Sequence, residues 1–144
     1  METHITDITH VIQLAVAPVF LLTAIGTLIT ALNTRLGRAV DRRRVVQQLL
    51  DTSAAGGDDL RAELAQIGRR THLIYLAILA SVTAALLVCM VVASAFIGAL
   101  FSIELSQPVA VLFILAMCAL IVSLSLFLRE IFLAVSFGRR RFLR

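Results

Sequence analysis

Three long runs without a formal charge, Val11–Leu32, Leu73–Phe101 and Val109–Leu128, alternate with two blocks rich in arginine. They hold 22, 29 and 20 residues. At 1.5 Å per residue, a helix of about 20 residues crosses a hydrocarbon core of about 30 Å. Composition points the same way: 60% of the residues are apolar and 15% charged, against about 25% charged in soluble domains. A soluble fold of about 150 residues hides only roughly 70% of the surface its unfolded chain exposes, so lipid must solvate much of this chain. The expected fold is an all-α integral membrane protein of one domain with three transmembrane helices, near residues 11–32, 73–101 and 109–128.

All 13 basic residues are arginine. None precedes Arg35, eight lie between Arg35 and Arg70, none between Thr71 and Leu128, and five between Arg129 and Arg144. Basic residues beside span ends stay cytoplasmic. The N-terminus and a turn at Ser102–Gln107 are therefore expected outside, with the C-terminus and the basic segment 129–144 inside. The first ten residues lack the basic stretch and small-residue cleavage site of a signal peptide. Ile5, Ile8 and Ile12 share a helical spacing, which places the first helix start near Thr6 or Asp7. Pro18 falls within the first span, where it removes a backbone hydrogen bond, and Pro108 suits the start of the third helix.

The segment between the first two spans, residues 33–72, also carries helical periodicity. Leu32, Leu36, Ala39, Val46 and Leu50 form one stripe, and Leu60, Leu64, Ile67 and Ile74 another. Between them, Asp51–Asp58 contains the Gly56-Gly57 pair, a helix stop followed by an acidic start. The expected structure is a cytoplasmic helical hairpin that extends spans one and two, with Leu36, Leu64 and Ile67 among its least accessible side chains.

The run His10-Val11-Ile12-Gln13-Leu14-Ala15-Val16-Ala17-Pro18-Val19-Phe20-Leu21-Leu22 leads through Gly26 to Arg35-Leu36-Gly37-Arg38-Ala39-Val40-Asp41-Arg42, and Arg129-Glu130-Ile131 closes the last span. In these segments the chain resembles the bacterial membrane proteins grouped as domain-of-unknown-function family 2721. The resemblance covers nearly the whole chain. It implies a small multi-span protein of the bacterial inner membrane and carries no assigned activity.

Several residues stand out against this background. Thr23, Thr27, Thr30 and Thr34 lie within about 60° of one another on a helix. They read either as a tightly packed helix contact, their hydroxyls bonded back to the preceding turn, or as the lining of a pore in a homo-oligomer. Arg35, Arg38, Asp41 and Arg42, continued by Arg43 and Arg44, read as an orientation signal in contact with anionic lipid headgroups, or as a charged ring in which Asp41 fixes register. Arg129 and Glu130 are expected as an ion pair. They lie in the inner leaflet if the third helix runs to Phe137; if the chain leaves the membrane at Leu128, they lie at the interface, and Ile131–Phe137 packs on the surface or on the hairpin.

Other features argue against chemistry. His4, Asp7 and His10 spread over about 120° of a helix, too wide for one chelate, and His72 marks a membrane edge. Cys89 and Cys118 have no ligand spacing and read as small apolar residues. No HExxH, GxSxG or phosphate-cradling glycine loop is present, so no cofactor, metal, nucleic acid or catalytic residue is expected. Intramembrane carboxylates and inverted repeats, the signs of secondary transport, are missing as well. Two functions remain: a homo-oligomeric, channel-like pore lined by the first helix, or a non-conducting structural or accessory subunit that binds another membrane protein through its stalk.

Overall fold

The computed structural model describes the backbone of residues 2–52 and 57–141, and the side chains of residues 13, 16–52 and 57–134. It contains three helices, α1 (Glu2–Thr52), α2 (Gly57–Phe101) and α3 (Ser106–Arg141). All three are long and apolar enough to cross a membrane, as expected for a multi-pass membrane protein. Two compact units divide the chain, residues 1–29 with 80–122 and residues 30–79 with 123–144.

In the first unit the core is made of Ile25, Ala84, Val88 and Ala116, packed against Leu21, Ile29 and Leu120. The alanines let helices approach closely, which matters in lipid because dispersion contacts replace the hydrophobic effect as the glue. Large apolar side chains point outward instead: Phe20, Leu86, Met90, Leu100 and Ile114 are all exposed. That inversion is stable only if the surrounding solvent is apolar.

Helix α2 ends in a Schellman turn. Ser102 adopts a φ of 52°, and the Ile103 amide donates to the Gly98 carbonyl at 3.0 Å, the six-to-one bond of this motif. Gly98 keeps this turn uncrowded, since a Cβ there would lie 3.2 Å from the Ile103 carbonyl oxygen, a tight contact. After four linking residues the Val109 amide donates to the Leu105 carbonyl at 3.0 Å, which makes Leu105 the N-cap. Pro108 is thus the third residue of α3. An amide in the first turn has no intrahelical partner, so the proline costs nothing there.

The second unit is built on three- and four-residue steps. Helix α1 buries Leu32 and Val46, α2 buries Ile67, Ile74 and Ala77, and α3 buries Ser123 and Glu130. The Ser123 hydroxyl donates to the Ala77 carbonyl at 2.9 Å, joining α2 to α3. Thr52 closes α1, and Asp58 and Asp59 occupy the first turn of α2, where carboxylates favour the positive helix end.

Three expectations change. Helix α1 starts at Glu2 rather than near Thr6 or Asp7. Helix α3 begins at Ser106 and continues past Leu128 to Arg141, because its sequence offers no helix breaker before Gly138 and both Arg and Glu are good helix formers. Its continuation belongs to the same compact unit as residues 30–79. Of the three side chains expected to be least accessible, Ile67 is buried, while Leu36 and Leu64 are half-buried.

Two substitutions test this packing by denaturant titration in detergent micelles. Ser123→Ala removes one interhelical hydrogen bond and is expected to cost about 0.6–1.7 kcal/mol. Ile67→Asp places an unpaired charge in the buried seam and is expected to cost several kcal/mol. Equal, negligible effects would contradict the α2–α3 contact and the buried seam.

Candidate functional site

Glu130 is the one buried charged side chain among the described residues, at 1% relative exposure. The α3 pattern explains its position. Ala116, Leu120, Ser123, Phe127 and Glu130 follow steps of four, three, four and three, so Glu130 falls on the same inward stripe as the buried Ala116 and Ser123. A carboxylate placed there must be matched by cations and hydrogen bonds.

Two arginines do so. Arg35 of α1 donates through Nη1 to Glu130 Oε2 at 2.9 Å, and Arg70 of α2 donates through Nη2 to Oε1 at 2.8 Å. Each carboxylate oxygen thus receives a charged donor from a different helix. The Arg35 guanidinium also lies over the Phe127 ring, 5.1 Å from its centroid, within cation–π range. One α1 turn pair further on, Arg42 grips Glu63 Oε1 with Nε at 2.9 Å and Nη2 at 2.7 Å.

These groups border a pocket of about 270 Å³. Arg35, Arg38, Ala39 and Arg42 line it from α1, Ile67 and Arg70 from α2, and Glu130 from α3. Arg35, Arg38 and Arg42 share one α1 face through steps of three and four. Arg70 lines the pocket, and its Nε is buried and has no hydrogen-bond partner. Four guanidinium groups face one lining carboxylate, and Glu63 neutralises one more, so the pocket keeps an excess of positive charge.

The residues singled out in the sequence are used differently from what adjacency implies. Glu130 pairs with Arg35 and Arg70, not with Arg129. Successive helical residues point about 100° apart, so Arg129 is exposed and borders a separate groove with Ser125, Leu128 and Phe132. Asp41 is exposed and makes no ion pair among the described residues, while the carboxylate partner of Arg42 is Glu63. Glu63, Arg70 and Phe127 were not legible as site residues. The signal lay in the α2 stripe of Glu63, Ile67, Arg70, Ile74, Ala77 and Ser81, whose three–four steps align both charges with the core positions.

Thr23, Thr27, Thr30 and Thr34 are all exposed. Thr23 donates to the Val19 carbonyl at 3.2 Å, Thr27 to Thr23 at 3.0 Å and Thr34 to Thr30 at 2.9 Å, the back-bonding available to a hydroxyl in lipid. Gly26 has nothing within 4 Å of where a Cβ would sit, so among the described residues no other helix comes close to this face there. Cys89 and Cys118 are free and exposed. No group of three metal-ligating side chains occurs among the described residues, and the side chains of His4, Asp7 and His10 lie outside them.

The Glu130 knot has a measurable consequence. Glu130→Gln leaves two guanidinium groups facing each other over a neutral amide and is expected to destabilise the fold by about 3 kcal/mol. In a double-substitution cycle with Arg70→Gln, the two losses are expected to be strongly non-additive. Additive losses, read from denaturant midpoints, would show that the pair is not coupled.

No curated protein and no solved structure matches this chain. A family described as Protein of unknown function (DUF2721) matches residues 15–140. That match takes in the threonine face, the arginines of α1, the α2 stripe and Glu130, and the chain belongs to this family.

Proposed function

We propose that this multi-pass membrane protein is a non-enzymatic, non-conducting structural or accessory subunit of the bacterial inner membrane. Its N-terminus would face outward and its C-terminus the cytoplasm, and the helical segment 33–72 would form a cytoplasmic stalk that binds another protein. The observation that carries this reading is the state of the threonine face. Hydroxyls that donate to carbonyls of their own helix are satisfied without water, as a dry helix surface in lipid requires. Beside the spans, Arg35, Arg70 and Glu130, and Arg42 with Glu63, are likewise engaged with one another, as in a structural knot.

The same face favours self-association. Thr23, Gly26, Thr27 and Thr30 place small side chains at three- and four-residue steps on an exposed helix surface, the pattern along which helices pack closely in lipid. A symmetric ring closed along this face is the second reading, and it would create the channel-like pore. Water access separates the two. Under the accessory reading, Thr27→Cys should be as unreactive toward a small charged thiol reagent as Leu28→Cys, and purified protein should leave planar bilayers silent. Selective labelling of the Thr27 position together with current altered by Thr27 substitutions would establish the pore instead.

Orientation is tested independently. With Cys89 and Cys118 replaced, cysteines introduced at Thr3 and Gln107 should label from outside intact cells, whereas one at Gly57 should label only after permeabilisation. Outside labelling at Gly57 would reverse the topology.

A further inference from the structure

We infer that the arginine pocket bounded by Arg35, Arg38, Arg42 and Arg70 binds a phosphate group, either of an acidic phospholipid or of free phosphate. Three observations converge on it. First, four guanidinium groups border a space of about 270 Å³, and the carboxylates of Glu130 and Glu63 offset only part of their charge. Second, the donors that remain point to an anion. Arg38 makes no ion pair among the described residues, and the Nε of Arg70 is buried without an acceptor. An unsatisfied buried donor is costly, and a turn of the Arg70 side chain toward the pocket would let an anion oxygen satisfy it. Arg70 already donates to Glu130 through Nη2, so its Nε has one further charge-assisted bond to offer.

Third, the position in the sequence matches a headgroup. Arg35 lies three residues beyond the charge-free run that ends at Leu32, and Arg70 three residues before the run that starts at Leu73. Glu130 lies two residues beyond Leu128. At 1.5 Å per residue these offsets are only about 5 Å along a helix, the depth at which phosphates of a bilayer sit next to its hydrocarbon. Size and shape agree. The pocket is slightly smaller than the roughly 300–1,000 Å³ of sites for drug-sized ligands, and the guanidinium groups that line it converge from two helices, α1 and α2. Ala39 and Ile67 supply apolar wall against which the ester carbons of a lipid would pack.

The full-length protein in phosphatidylcholine nanodiscs provides the test. Phosphatidylglycerol is titrated in and the lipid retained is read by native mass spectrometry, with and without inorganic phosphate as competitor. Arg38→Gln, which breaks no ion pair, is expected to weaken retention about tenfold, the scale of one charge-assisted hydrogen bond. Arg44→Gln removes the same charge from an exposed residue outside the pocket and is expected to change retention less than about twofold, as exposed charges contribute little. Arg70→Lys keeps the positive charge but removes Nε, and is also expected to weaken retention. Competition by inorganic phosphate identifies free phosphate as a ligand of the site, and retention indifferent to it identifies the lipid. Equal losses from Arg38→Gln and Arg44→Gln, or no selective retention of either ligand by the wild-type protein, would overturn the inference. None of these outcomes depends on whether the protein conducts.

Discussion

A carboxylate buried to 1% exposure on α3 sets the terms for the unit formed by residues 30–79 and 123–144. Taking Glu130 out of solvent is expensive, and its attraction to a cation offsets that only when the geometry is good and both oxygens are bonded. Both conditions hold, with Arg35 on one oxygen and Arg70 on the other. The effect on helix arrangement is larger than the net energy implies. Ser123 donates to Ala77, and these residues lie seven before Glu130 in α3 and seven after Arg70 in α2. The ion pair and the hydrogen bond therefore share one register along two antiparallel faces. Sliding α3 by a turn would break both at once. Apolar residues alone tolerate such slips more easily, because dispersion contacts are not directional.

The first unit works under the opposite rule. Its core is small, with two alanines among its four buried residues, and its bulky side chains face outward. In lipid this arrangement costs little, since moving a leucine from hydrocarbon into a protein interior gains almost nothing, and close backbone approach between small residues is what holds helices together. Hydroxyl groups in such a setting need a local acceptor, and Thr23 and Thr27 of α1 find it in their own helix. The chain thus separates its two kinds of glue: small-residue packing along the apolar runs, and charge-assisted hydrogen bonds just beyond their ends.

Arginine serves both purposes at the ends of the runs. The same side chains that bias topology by their charge also form the planar fork that closes on Glu63 and give one charged donor to each oxygen of Glu130. Lysine would retain the first function and lose much of the second, because a bidentate grip such as that of Arg42 on a single carboxylate oxygen requires two coplanar donors. The use of Arg at all 13 basic positions is compatible with this double duty.

Fold class, three membrane-length helices and membership of a family without assigned activity were legible from residue order, because charge exclusion from hydrocarbon acts on each residue independently of its neighbours in space. The outer turn expected at Ser102–Gln107 is two residues longer than the observed Ser102–Leu105, and the end of α1 near Thr52 was legible from the helix-stopping residues that follow it. Which arginine meets which carboxylate was not. Arg129 and Glu130 are adjacent in sequence and diverge by a helical step, whereas Arg35 and Arg70 converge on Glu130 from 95 and 60 residues away. Periodicity places a side chain on a face, and only the packing of that face against two other helices determines its partner. The pocket left between those arginines is a property of the packed helices, invisible in any one of their sequences.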